Sequence, residues 1–230
     1  MTNVCYILHY APDNASLGVR LALEELRLNY RAALVDRQLQ AQRSPDYLDL
    51  NPNGLIPVLE TPQGPIFETA AILLWLADQH GGLAPAANAV NRAELLKWLF
   101  FLSNTLHPAL RTLFYPEKYI GPNPDHQLLL QNHARADILR HLGTLDAHWR
   151  QTDVPLLLNL YLAPMLRWIQ LYPAASDKTW FDLSSLPALH RMAERLETRK
   201  SVVTAQTAEG LGPRPFTAPR APCPPEGSAT

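Results

Sequence analysis

Cysteine is scarce: the 230 residues hold two, Cys5 and Cys223. Two thiols exclude a disulfide scaffold and a cysteine-built zinc site, and they fit a reducing compartment. An excess of either charge is also missing. Twenty basic and 21 acidic residues give a net charge of −1, without the basic surplus of a nucleic-acid binder. No apolar run reaches the ~20 clean residues of a membrane span. The longest, residues 154–169, is broken by Pro155, Asn159, Pro164 and Arg167 and reads as a buried helix. The first ten residues lack the basic start and apolar stretch of a secretory signal, so the sequon Asn14-Ala15-Ser16 carries no meaning. The chain is expected in the cytosol, with no membrane or nucleic-acid partner and no metal.

What is present is apolar residues at 47% and an abundance of proline, 21 residues of 230, well above the usual ~5%. Six prolines (Pro213, Pro215, Pro219, Pro222, Pro224 and Pro225) crowd the last eighteen positions. Residues 211–230 are therefore expected to form an extended or disordered tail lying over the surface or over a partner subunit. Residues 1–80 carry 5 basic and 9 acidic groups, whereas residues 81–210 carry 13 and 11. The Gly81-Gly82 run and its neighbours, residues 81–90, mark a linker between the two regions.

Before the linker, strand and helix signals alternate. Residues 4–10 are β-prone, Val19, Ala22, Leu23 and Leu26 share one helix face, and residues 29–35 read as a second strand. Residues 56–60 and 65–67 flank the turn Thr61-Pro62-Gln63-Gly64, a hairpin. Ala70, Leu73, Leu74 and Ala77 then line a helix. An intervening helix makes the first two strands parallel and a tight turn makes the last two antiparallel. The expectation is a mixed four-stranded sheet. After the linker only helical stripes remain: Leu95, Trp98, Leu99 and Leu102 with Asn91 as cap; Ala134, Ile138, Leu142 and Leu145; residues 156–170; and Leu189, Met192 and Leu196, opened by Ser185 and Pro187. The fold class is a small α/β domain followed by an all-α bundle over residues 91–210.

At residues 51–59, Asn51-Pro52-Asn53-Gly54-Leu55-Ile56-Pro57-Val58-Leu59, followed by Glu68-Thr69, the chain resembles the cytosolic glutathione S-transferases. Trp98, His107-Pro108, the Phe114-to-Tyr119 segment, Arg167-Trp168, Arg191-to-Arg195 and Ala208-to-Leu211 are similar to bacterial members, including the beta class. The resemblance implies a thioredoxin-like first domain, a homodimer with residues 95–106 at its interface, and glutathione as co-substrate for conjugation to a small electrophile. Alternatives are a glutathione-dependent disulfide or peroxide reductase, and a non-catalytic binding module.

The same resemblance implies roles for particular residues. A cis Ile56–Pro57 bond would present the Ile56 backbone to the cysteinyl unit, Thr69 and its N–H would hold the γ-glutamyl carboxylate, and Glu68 would face the γ-glutamyl ammonium. The reactive cysteine of beta-class members falls on Ala15, which excludes mixed-disulfide chemistry there. Ser16 is the first candidate for the thiol partner, Asn14 the second and Tyr10 the third. Each has a plainer reading: a helix cap for Ser16 and Thr69, an Asx turn for Asn14, a solvated acid for Glu68. Asp13 counts against the site, since a carboxylate beside a thiolate raises its pKa. His107 lies at a cleft-facing helix kink or merely satisfies carbonyls freed by Pro108. Phe101, Asn104, Tyr115 and Trp168 are candidates for the electrophile pocket, or core. The family's capping box at the start of the long central helix falls on Leu156 and Asn159, a loss of ~0.5–2 kcal/mol unless Asn159, Thr152 or Asp153 substitutes.

Overall fold

The computed structural model describes residues 6–151 and 153–223. The chain opens with β1 (Tyr6–Tyr10), α1 (Ser16–Glu25) and β2 (Tyr30–Leu34), followed by α2 (Pro45–Leu50). The hairpin β3 (Val58–Thr61) and β4 (Gly64–Phe67) leads into α3 (Thr69–His80). The sheet order is β2-β1-β3-β4, with β1 and β2 parallel and the other neighbours antiparallel. Both expected pairings are present, and the expected mixed sheet is a thioredoxin-like N-terminal domain. Val4 and Cys5 lie outside the described residues. Alternation along β1 buries Tyr6 and Leu8 against α1 and α3, while His9 on the opposite face meets Glu60 at 2.7 Å and the edge of Tyr47.

The remainder is helical. α4 (Arg92–Phe101) runs through a π turn, Leu102–Leu106, into α5 (His107–Phe114). A short α6 (Glu117–Ile120) precedes the long α7 (Pro124–Gln151), the apolar α8 (Leu156–Leu171), α9 (Pro187–Glu197) and α10 (Lys200–Glu209). Among the described residues no helix is long and apolar enough to cross a membrane. One apolar cluster runs unbroken from Leu8, Leu17 and Leu73 through Leu99 and Leu142 to Leu162 and Leu189. Gly18 allows α1 to cross α8 closely, since a Cβ there would stand 3.2 Å from the Leu160 carbonyl oxygen.

Several caps differ from expectation. Asn91 makes no side-chain cap bond. Ser185 does not open α9: its hydroxyl donates to the Asp182 carbonyl at 2.6 Å. The Asp146 carboxylate of α7 accepts instead from the Ala188 and Leu189 N–H groups at 2.7 and 3.1 Å, a tertiary cap that also suits the helix dipole. Asn159 does not cap α8 either; its side chain accepts from the Trp149 indole at 2.8 Å. The Leu157 N–H donates to the Leu83 carbonyl at 2.9 Å, so the linker supplies what the missing box would have. Thr152 lies outside the described residues.

The terminal segment lies over the surface of its own chain, one of the expected alternatives. Up to residue 223 it is folded against the body, with Leu211 and Phe216 buried. The Arg167 guanidinium donates to the carbonyls of Leu211, Pro215 and Arg220 at 3.2, 3.1 and 2.6 Å. Glu197 accepts from the N–H groups of Phe216 and Thr217, each at 2.8 Å. Proline removes the option of self-pairing, and side chains of the body satisfy the backbone in its place. Pro224 and Pro225 lie outside the described residues.

Candidate functional site

The motif at residues 51–57 is a closed local structure. The Asn51 side chain donates to the Leu55 carbonyl at 2.8 Å and accepts from the Asn53 N–H at 3.1 Å. The Tyr47 hydroxyl donates to the same carbonyl at 2.9 Å. Gly54 has φ +58°, and a Cβ on it would lie 2.7 Å from the Gln42 carbonyl oxygen. The Ile56–Pro57 bond that follows is cis. Among the described residues, neither the N–H nor the C=O of Ile56 has a hydrogen-bond partner. β3 begins directly after Pro57, with Val58 paired to His9 of β1.

Glu68 is exposed, with φ +71°, and occupies the cap position of α3. Thr69 is buried and begins the helix; its methyl lies 3.9 Å from where a Cβ on Gly18 would be. The first-turn N–H groups of α3 have no partner inside the helix, as for any helix start. Across from them, Tyr161 of α8 feels the Glu68 charge, and its hydroxyl lies 3.0 Å from His107 Nδ1. His107 leans on Trp168 with ring centroids 5.6 Å apart. Burial raises the Tyr161 pKa, keeping the hydroxyl protonated; with it as donor, His107 carries its own proton on Nε2.

Burial, and to a lesser degree the charge of Arg111, lowers the His107 pKa from 6.5 to about 4. Because the folded value lies below the unfolded one, the stability linked to this residue is complete above pH 6.5. It drains away as pH falls toward 4, where only the unfolded chain takes up the proton. Unfolding free energies from urea titrations at pH 7 and pH 4.5 should lie farther apart for the wild type than for His107→Asn, by on the order of 2 kcal/mol after allowing for partial exposure.

The thiol candidates are sorted by position. Ser16 is buried in the unliganded chain, and its hydroxyl donates to the Ala11 carbonyl of the same loop at 3.2 Å. It is the first residue of α1 and not its cap. Ala15 occupies the cap position. Tyr10 is half-buried against the core, with the Arg20 guanidinium 4.5 Å from the ring centroid. Asn14 stays half-open. Its Oδ1 accepts from the Ala15 N–H at 2.7 Å and its carbonyl from the Leu17 N–H at 2.9 Å.

Asp13 is corrected, since it points away from the loop's open face into the core. It pairs there with Arg167 at 2.8 Å, both side chains having no exposure. Trp168, proposed for the electrophile pocket, is a core residue donating its indole N–H to Asp13 at 3.0 Å. The other pocket candidates do not converge. Phe101 faces Trp98 and His141, Asn104 is exposed and bonded to Ser103, and Tyr115 sits at the far end of α5 beside Phe114. A cavity of about 530 Å³ between α7 and α9, lined by Trp149, Arg150, Met192 and Arg195, includes none of the site residues. Among the described residues, no three His, Cys, Asp or Glu side chains are grouped to hold a metal.

Sequence reasoning missed Tyr161 and the buried charges. One signal was there: Arg167 is the only charged residue in the apolar run of α8, and a buried arginine demands an acid.

Glutathione S-transferase GST-4.5 from Xanthomonas campestris pv. campestris is 33% identical over 213 residues, covering 89% of this chain and 98% of that protein. The chain belongs to the glutathione S-transferase family. The family's N-terminal domain model matches residues 15–79. A sphingomonad glutathione S-transferase solved with glutathione superposes with a TM-score of 0.74 at 30% identity, over 90% of this chain and all of that one. Shorter matches carry other names. Disulfide-bond oxidoreductase YfcG of Escherichia coli is 36% identical over 110 residues, 45% of this chain and 51% of that protein.

Proposed function

We propose that this glutathione S-transferase binds glutathione between the Ile56 backbone and the start of α3, and joins its thiolate to a small electrophile. The unpaired N–H and C=O of Ile56 carry the reading, because they offer an extended peptide one strand-like pair of hydrogen bonds. Thr69 and the free first-turn N–H groups receive a carboxylate, and the exposed Glu68 receives an ammonium. With Ser16 turned inward, Asn14 is the side chain left to face the sulfur. Its Oδ1 is engaged by Ala15, which leaves the Nδ2 hydrogens as donors. Lowering a thiol pKa from ~8.5 by two units takes ~2.7 kcal/mol. A hydrogen bond to an anion supplies ~1.5–3 kcal/mol and a helix N-terminus ~0.3–1, so Asn14 and α1 together suffice.

The test is calorimetric titration with glutathione, followed by the pH dependence of thiolate absorbance in the complex. Asn14→Ala should bind glutathione nearly as well and raise the bound thiol's pKa by ~1 unit or more. An unchanged pKa would remove Asn14 from the mechanism, and no binding at millimolar glutathione would sink the proposal. The reductase reading is favoured by one observation: Ala15 and the inward Ser16 place no competing protein nucleophile at the loop. Turnover of a model disulfide exceeding that of an aryl halide would select it. A cytosolic homodimer with α4 at its interface completes the proposal; Phe100 stands 53% exposed on that helix.

A further inference from the structure

The loop that carries Asn14 is held from behind. Asp13 has φ +54°, a left-handed conformation that aspartate tolerates better than most residues but that persists only where its surroundings impose it. Its N–H donates to Glu209 Oε2 at 2.9 Å, Oδ1 accepts from Arg167 at 2.8 Å and Trp168 at 3.0 Å, and Oδ2 accepts from the Tyr172 hydroxyl at 2.7 Å. All four partners belong to the helical region and none to the sheet. Arg167 turns its remaining donors on the carbonyls of Leu211, Pro215 and Arg220. A single guanidinium with no exposure therefore grips both the loop and the terminal segment.

We propose that Arg167 is a positioning residue for the thiol site: through Asp13 it fixes the backbone that aims Asn14, and residues 211–220 complete its coordination. This rests on the glutathione reading above. Asn14 follows Asp13 directly, and its two hydrogen bonds tie it to Ala15 and Leu17. Any rotation at residue 13 therefore swings the donor and the first turn of α1 together. Alignment at that scale governs both hydrogen-bond strength and reaction geometry.

The experiment compares the full chain with Asp13→Asn and Arg167→Lys, beside a Leu142→Ala control destabilised in a core position of α7 remote from the loop. In the unliganded protein, amide exchange at residues 14–17 should quicken about tenfold in the first two variants, with the β3–β4 hairpin unchanged. With glutathione bound, the thiol pKa should rise by about one unit and kcat near neutral pH fall about tenfold, with KM for glutathione moving less than about twofold. The Leu142→Ala control should move none of these. Should the charge variants fail to fold, Phe216→Ala loosens the terminal segment without touching either charge and should give the same exchange pattern. Exchange that quickens evenly across the molecule, or a thiol pKa that stays put, overturns the positioning role. A wild-type protein that binds no glutathione overturns the functional reading alone, and the exchange pattern still decides whether Arg167 orders the loop.

Discussion

Arg167→Met should destabilise the protein by ~3–5 kcal/mol, the usual cost of breaking a buried ion pair by removing one partner. The Asp13 carboxylate would keep Trp168 and Tyr172 as donors but lose its paired guanidinium at 2.8 Å, inside a site with no exposure. The carbonyls of Leu211, Pro215 and Arg220 would lose their shared donor in the same step. Urea denaturation gives the midpoint shift. Two controls separate charge from packing. Adding Asp13→Asn to Arg167→Met should recover part of the loss, because neither side then strands a charge. The deficit of the single variant should also shrink as pH falls toward 5. Burial already pushes the Asp13 pKa up, with Arg167 opposing it; without the arginine the folded form takes up a proton first, and the stranded charge disappears. A deficit that stays constant with pH would mean that lost packing, not charge, dominates.

Gly54→Ala should have the next largest effect, and it should reach ligand binding as well as stability. At φ +58° an alanine costs ~1–2 kcal/mol in backbone strain. Its Cβ would also stand 2.7 Å from the Gln42 carbonyl oxygen, a backbone atom that cannot rotate away. The turn must shift, and Leu55 and Ile56 shift with it. A stability loss of at least ~2 kcal/mol and a tenfold or greater loss of glutathione affinity are expected. Gly64→Ala is the comparison: its φ is +117° but nothing lies within 4 Å of the added carbon. It carries strain without a clash and sits away from the motif, so glutathione affinity should hold. Equal affinity loss in both variants would disconnect the Gly54 turn from the ligand site.

The sheet and the long helices were legible because local rules produce them. Apolar residues at period 2 or 3.6, the turn Thr61-Pro62-Gln63-Gly64 and the motif around Gly54 act within a few residues. The cap of α1 falls on Ala15 and not on Ser16, a one-residue difference that matters because adjacent residues on a helix point ~100° apart. Asp13 was misread because its partner lies 154 positions away, beyond any local pattern. For the terminal segment, composition left an extended and a disordered tail both open and did not show what would hold it. Its prolines do exclude helix and sheet, yet Leu211 and Phe216 are buried and Arg167 and Glu197 satisfy its backbone. Low self-pairing is not low order when the body supplies the partners.

The carbonyl of Leu83, which receives the Leu157 N–H at 2.9 Å, sits in the linker itself. A linker that caps a helix of the second region is not a tether between two independent bodies. Together with the apolar cluster shared by α1, α3 and α8, it makes the exposed residues 86–88 a place where a protease can cut without parting the halves. The nicked protein should elute as one species, with its two fragments held until the common core melts.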